Sequence, residues 1–216
     1  LKNIHGSLKG SAAMIDEALE RQDLRQTRHV WEISRRSTER LANLALDLLN
    51  YTRLENLQLR QVDLNAMVRD VCTNGNVAGP QTRTKIQLQV GEGLPAVMAD
   101  GEKIYEVILN LVSNAMDACA EFGQGTVQVS TDWSPREKAV RISVSDSGSG
   151  IPPEALPRIF DPFYTTKGNK GNGLGLAIVD KIVHAHGGRV LVESRPGRTV
   201  FTIVLPIAGP SANGGS

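Results

Sequence analysis

The sequence predicts an α+β protein in which a helical hairpin over residues 1–58 is followed by a second unit, over residues 62–208, that mixes strands with amphipathic helices. Three observations carry this prediction. Apolar residues near the start recur at alternating spacings of four and three. Five later segments alternate apolar with polar residues, as half-buried strands do. Between those segments lie helical apolar stripes, around Ile104 to Cys119 and Leu174 to Val183. At 216 residues, 40% hydrophobic and 22% charged, the chain is long enough to bury a substantial core and divide into two units.

In the hairpin, one stripe is Ile4, Leu8, Ser11, Ile15 and Ala18, and the other is Val30, Ser34, Ser37, Leu41, Leu44, Leu48 and Tyr51. Gln22 to Leu24 make the turn. Two helices cannot enclose their own apolar seam, so the expected solution is a homodimer whose two hairpins form an antiparallel four-helix bundle. The competing arrangement lays the seam against the chain's own second unit.

The second unit opens with Val62-Asp-Leu-Asn and a short amphipathic helix through Leu64, Met67, Val68 and Val71. Strands are expected at residues 85–90, 126–132, 139–146, 189–193 and 200–205, with Trp133-Ser-Pro-Arg-Glu137 as the hairpin turn between the second and third. Leu205-Pro206 ends the sheet, and residues 209–216, small and polar, read as a disordered tail or linker.

The chemistry concentrates between Asp146 and Leu176. Val140, Ile142 and Val144 alternate with Arg141, Ser143 and Ser145, and Asp146 falls on the apolar side of that alternation. Its carboxylate therefore points inward at the end of a strand, where it needs a donor. Asp-Ser-Gly is also ordinary turn chemistry, so one reading is a structural turn cap. The other is a base reader: an ionised carboxylate only accepts hydrogen bonds, and the exocyclic amine of adenine donates one. Gly148 and Gly150 would let the backbone pass against a flat ring.

Further on, Gly171, Gly173 and Gly175 precede the helical pattern Leu174, Leu176, Ile178, Val179, Ile182 and Val183. Glycines at a helix N-terminus suit phosphate, because free N–H groups and the helix dipole face the anion. A flexible loop before a core helix would look the same. Neither the Walker nor the dinucleotide fingerprint applies. Phe160, Phe163, Tyr164, Thr165, Thr166, Lys167 and Lys170 lie between the two clusters, a lid with aromatic anchors first and cations later.

On the helix from Ile104 to Cys119, Glu106, Asn110, Asn114 and Asp117 share a polar stripe. Such a stripe can be no more than a solvated face. Asparagine is a mediocre helix former, however, and side-chain carbonyl oxygens suit Mg²⁺, which takes a few protein oxygens alongside phosphates and water.

Together, Asn110-Leu-Val-Ser-Asn114-Ala, Asp146-Ser-Gly-Ser-Gly150, Ile159-Phe-Asp-Pro-Phe163-Tyr-Thr-Thr-Lys167, Gly171-Asn-Gly-Leu-Gly-Leu176 and Pro196-Gly-Arg-Thr-Val-Phe201 resemble, in order, the boxes of bacterial sensor histidine kinases, and most closely their nitrogen-regulation branch. The resemblance covers nearly the whole chain. It implies the ATP-binding α/β sandwich shared with type II topoisomerases, heat-shock protein 90 and mismatch-repair ATPases. It also implies that the hairpin is the dimerisation and phosphotransfer element, with Tyr51-Thr-Arg-Leu-Glu55 as its exit. By position, Asn114 would bind Mg²⁺, Asn110 would stand beside the phosphates and Asp146 would read adenine. Gly148, Gly150, Ile151, Phe160, Thr165, Thr166, Lys167, Gly171, Gly173, Leu174, Gly175 and Thr199 would complete the ATP pocket.

In the hydrolysing branches of that superfamily, the residue four before the metal-binding Asn is typically a Glu that activates water. Here it is Asn110, and an amide cannot serve as that base. The expected function is therefore an ATP-dependent protein histidine kinase that passes the γ-phosphate to a histidine on the hairpin and then to the aspartate of a response-regulator receiver domain. Glu106, one turn earlier, is the reservation, since it could reach the site through a water.

The acceptor histidine is the open position. The family pattern is His, an acidic residue, an apolar residue, Lys or Arg, then Asn or Thr, and Leu1-Lys2-Asn3 matches its last three places. The acceptor would then precede Leu1. His5 is the rival, on the right helix but followed by Gly6 in place of an acid, so no adjacent base would prepare it. His29 reads as exposed near the turn, and His184 and His186 as helix-end residues beside Gly187. Two other functions stay open: an ATPase clamp of the topoisomerase or chaperone type, and a dimeric nucleotide-binding scaffold without autokinase activity, should the acceptor lie outside this chain.

A formal net charge of +1 argues against a nucleic-acid partner held by bulk electrostatics. No apolar run is long enough to span a membrane and no signal peptide opens the sequence, so the expected place is the cytoplasm, alone or as the cytoplasmic part of a membrane-bound sensor. Cys72 and Cys119 lie on apolar helical stripes and read as reduced core residues.

Overall fold

A computed structural model describes residues 10, 14–15, 17–21, 23–52, 57–74, 84–120, 124–167 and 172–210. The chain divides into two compact units, Leu1–Thr52 and Arg53–Ser216.

The first unit is dominated by α1, Leu24–Thr52. Asp23 starts it: its Oδ1 accepts the N–H groups of Arg25 and Gln26, each at 3.0 Å, satisfying two donors that the helix leaves open. The described residues just before the turn, 14–15 and 17–20, are helical as well. Ala18 and Val30, both expected on the seam, are buried, whereas Leu24, Trp31, Ile33, Leu41 and Leu48 are exposed. Ser37, also on the seam, satisfies its hydroxyl by donating to the Ile33 carbonyl at 2.9 Å. His29 is exposed on α1.

Among its described residues the second unit contains β1 (Arg60–Val62), α2 (Leu64–Asn74), β2 (Lys85–Gln89), β3 (Val97–Ala99), α3 (Gly101–Ala120), β4 (Thr126–Ser134), β5 (Ala139–Asp146), a 3-10 turn (Leu156–Arg158), α4 (Gly175–Ala185), β6 (Arg189–Arg195) and β7 (Arg198–Pro206). A five-stranded sheet runs β2-β4-β5-β7-β6, with β2 parallel to β4 and every other pair antiparallel. The period-two patterning dictates its faces. Val127, Val129, Ile142, Val144, Phe201 and Ile203 are buried on the inner face against the apolar stripes of α3 and α4, which contribute Ile104, Ile108, Leu111, Ile178 and Ile182. Each fully buried aliphatic side chain contributes about 1.5–3 kcal/mol.

Three features depart from the sequence expectation. A small antiparallel sheet, β1 with β3, pairs Arg60 with Ala99 and Val62 with Val97. Strands of three residues are too short to show a period. The hairpin turn is tighter than expected: Trp133 and Ser134 still pair with Val140 and Ala139, so only residues 135–138 turn. The boundary between the compact units falls at Thr52, and Gln58 donates its N–H to Asp100 Oδ2 at 2.9 Å within the second unit.

One buried polar side chain braces the helices that carry the site. His186, 1% exposed, follows the last turn of α4; its Nδ1–H donates to the Ile182 carbonyl at 2.8 Å, and Nε2 accepts the Asp100 N–H at 3.0 Å. The end of α4 is thereby tied to the residue that opens α3, and both ring nitrogens are satisfied by the neutral ring. Desolvation lowers the His186 pKa below the ordinary histidine value, against the smaller opposing effects of the Ile182 carbonyl and the Asp100 charge. Cys119 is buried and Cys72 half-buried; both are free thiols, and burial raises the pKa of Cys72.

Candidate functional site

Asp146 ends β5 on the inner face and is 6% exposed. The donor it requires is the Gly148 N–H, 2.9 Å from its Oδ1. Desolvation raises its pKa above the ordinary aspartate value; the Gly148 hydrogen bond and the positive charge of Lys167 oppose that rise. The loop after Asp146 is closed on both sides. A Cβ at Gly148 would meet the backbone of Ala118 at 2.8 Å, and one at Gly150 would stand 2.5 Å from the Arg195 carbonyl oxygen. Gly150 also holds φ at +80°, a conformation that only glycine adopts freely.

The same loop is joined to the β6–β7 hairpin. Gly197 donates its N–H to the Gly148 carbonyl at 3.1 Å, and Ile151 donates its N–H to Ser194 Oγ at 2.7 Å. Ser194 Oγ lies 3.0 Å from Thr199 Oγ1, and Thr199, 3% exposed, pairs with Asp146 across the β5–β7 ladder. Ser194 was not singled out by sequence reasoning. The signal that could have found it is its polar character at an inward position of β6, opposite Thr199 in the hairpin register.

At the other end, α3 presents Asn110 and Asn114 toward the first residue of α4. A Cβ on Gly175 would lie 3.0 Å from Asn110 Oδ1 and 3.9 Å from Asn114 Nδ2. Asn110 donates its Nδ2 to the Glu106 carbonyl one turn back, at 3.0 Å, which leaves Oδ1 turned toward Gly175. The N-cap residue of α4, Leu174, makes no side-chain cap hydrogen bond, and a helix N-terminus of this kind suits an anion. Leu174 is fully buried and anchors that start. The Glu106 carboxylate is 3.4 Å from Lys103 Nζ.

The loop from Ile159 to Lys167 is anchored differently from the sequence expectation. Ile159 is buried and Phe160 half-buried, but Phe163 is 60% exposed, with φ at +68°. Its backbone is the part in use: the Phe163 N–H donates to the Gly173 carbonyl at 2.8 Å, and the left-handed turn directs the ring outward. Gly173 is required there because a Cβ would reach the Tyr164 N at 2.7 Å. Tyr164 is half-buried, with the Arg158 guanidinium 4.4 Å from its ring centroid. Thr165 accepts the Lys167 N–H at 3.1 Å, and Thr166 is exposed. Lys167 Nζ then reaches α3, donating to Asn114 Oδ1 at 3.2 Å and to Asp117 Oδ2 at 2.9 Å. His5, Lys170 and Gly171 lie outside the described residues.

The residues fit a nucleotide with its metal on two grounds. The N-cap residue Leu174 makes no side-chain cap hydrogen bond at the start of α4, and Asn114 Oδ1 already serves a cation, the Lys167 ammonium. Among the described residues, no group of three or more His, Cys, Asp or Glu could hold a metal. No described helix is long and apolar enough to cross a membrane.

Residues 99–209 match the model of the histidine kinase-, DNA gyrase B- and HSP90-like ATPases. The sensory histidine kinase/phosphatase NtrB of Rhizobium meliloti is 31% identical over 95% of this chain and 56% of its own length. The chain thus spans about half the length of that curated relative. A solved structure of full-length ShkA in complex with AMPPNP is 29% identical with a TM-score of 0.71, covering 98% of this chain and 46% of that one. The histidine kinase ThkA, solved in complex with the response regulator TrrA, is 25% identical with a TM-score of 0.73, covering 96% and 60%. With the mixed sheet, the helices on one face and the closed loop around Asp146, these matches establish that the chain belongs to the family of histidine kinase-, DNA gyrase B- and HSP90-like ATPases.

Proposed function

We propose that this chain is the ATP-dependent protein histidine kinase core of a two-component signalling system, acting as a homodimer through its hairpin. Mg-ATP occupies the site between Asp146 and the start of α4. The γ-phosphate passes to a histidine of the hairpin and then to an aspartate of a response-regulator receiver domain. The observation that carries this reading is Asn110. Its amide, bonded to its own helix, faces the N-terminus of α4 where a hydrolysing relative would need a carboxylate, so residue 110 supplies no base to activate water.

Within that reading, Asp146 accepts the exocyclic amine of adenine and so selects it over guanine. The Gly148–Gly150 loop passes along the ring, the N-terminus of α4 and Lys167 hold phosphate oxygens, and Asn114 holds Mg²⁺, which when bound neutralises charge on the transferring phosphoryl group. The names of the relatives support it: NtrB is a sensory histidine kinase, ShkA was solved with AMPPNP and ThkA with a response regulator.

The test is incubation of the full-length protein with γ-labelled ATP. Acid-labile, base-stable labelling of the protein is expected, reduced at least about 100-fold by Asn114→Ala through loss of the metal's charge stabilisation. Acid-stable label would overturn the histidine acceptor. Rapid phosphate release without protein labelling would favour an ATPase clamp.

A further inference from the structure

Lys167 connects two parts of the site that are far apart in sequence, and it does so through a residue with no role so far. Asn114 and Asp117 are three apart on α3, so their side chains lie on one face. The Lys167 ammonium bridges them, at 3.2 Å from Asn114 Oδ1 and 2.9 Å from Asp117 Oδ2. The lysine is the more enclosed partner, its side chain 25% exposed against 61% for the aspartate. Its backbone is fixed independently by Thr165 Oγ1.

We propose that Asp117 is a further residue of the nucleotide site: its carboxylate is the exchange partner of Lys167, holding the ammonium on α3 in competition with nucleotide phosphate. This rests on the nucleotide reading of the site given above. The chemistry follows from counting charges and donors. An ammonium has three N–H donors, and two are engaged by Asn114 and Asp117. A divalent cation coordinated by Asn114 Oδ1 would sit about 2.1 Å from that oxygen. It would then repel the ammonium donating to the same atom. Once Asn114 is taken, Lys167 chooses between the single charge of Asp117 and the several charges of a nucleotide triphosphate. Asp117 therefore determines how much of the attraction between Lys167 and phosphate appears as affinity. Because its carboxylate faces solvent, the exchange is shallow, worth about two- to fivefold in the dissociation constant.

The test is a double-mutant cycle on the full chain, with affinity for AMPPNP and Mg²⁺ measured by titration calorimetry for wild type, Asp117→Asn, Lys167→Met and the double variant. Asp117→Asn is expected to tighten binding about two- to fivefold when Lys167 is present and to change nothing in the Lys167→Met background. Equal tightening in both backgrounds would mean simple charge repulsion, and weaker binding would mean that Asp117 positions Lys167 for phosphate; either result overturns the exchange. Failure of the wild-type protein to bind nucleotide would overturn the site reading and the exchange with it, whereas binding without coupling overturns only the exchange.

Discussion

The two ends of the candidate site are built on opposite principles. Around Asp146 the loop is held both by hydrogen bonds and by Gly148 and Gly150, where a Cβ would collide with backbone. Around Asn114 the fixing comes from one lysine shared between an amide and a solvent-facing carboxylate. On the proposed nucleotide reading the first end meets a planar base, which is recognised by shape and a fixed acceptor, so preorganisation suits it. Phosphates and a metal bring their own charge, and an end held by exchangeable charge contacts can yield to them.

The severest test of this contrast is Gly150→Ala. Forcing an L-residue to φ +80° beside the Arg195 carbonyl should cost at least about 2 kcal/mol and lower the melting temperature of the second unit by about 5 °C or more. A thermal melt reads this directly, and an unchanged melting temperature would refute the description of that end as rigid.

Next in size is Asp146→Asn, which keeps the shape and removes the charge. ATP affinity should fall about tenfold to a hundredfold, with little loss of stability. The pH dependence sharpens the point. Because desolvation raises the Asp146 pKa in the folded state, folding favours its protonated form, so its contribution to stability is lost as pH rises through the folded value. ATP binding needs the ionised form and should weaken as pH falls through that same raised value. The two effects run in opposite directions over one window above the ordinary aspartate range. Titration of ATP affinity against pH should show that transition in the wild type and lose it in the variant.

The smallest expected effect lies at the joint between the end of α4 and the start of α3. The His186 pKa is lowered in the folded state, so the stability that this residue contributes is complete above the ordinary histidine value and is lost as pH falls toward the folded value. Protonation would place a second N–H against the Asp100 N–H and loosen the joint between α3 and α4. Hydrogen exchange in mildly acid solution should therefore increase at the start of α3 and the end of α4 while the Asp146 loop stays protected. Loss of protection in both places together would show that the two ends are not independent.

Legibility in the sequence followed the range of the interactions. Asp146 could be placed on the inner face because a strand has a period of two, and Asn110 and Asn114 because a helix has one of 3.6. Gly148 and Gly150 stood out because glycine clusters mark close backbone approach. Ser194 escaped notice because its bond to Ile151 spans 43 residues and depends on where the β6–β7 hairpin folds back. Asp117 was visible as part of a polar stripe, but its partner lies 50 residues away on a loop whose course no local pattern encodes. Phe163 was misjudged for the same reason: an aromatic residue in a loop suggests an anchor, and only the backbone bond to Gly173 reveals that the ring is turned out.

The strand order β2-β4-β5-β7-β6 puts the last strand in the sequence inside the sheet, between β5 and β6. A ribosome synthesising this chain thus delivers a pairing surface that must wait. Until residues 198–206 have emerged, β5 and β6 each have an unpaired edge, and Asp146 lacks the neighbouring Thr199. On the proposed reading, nucleotide binding waits for β7, and a nascent chain stopped before β7 exposes strand edges that chaperones or other chains can pair with.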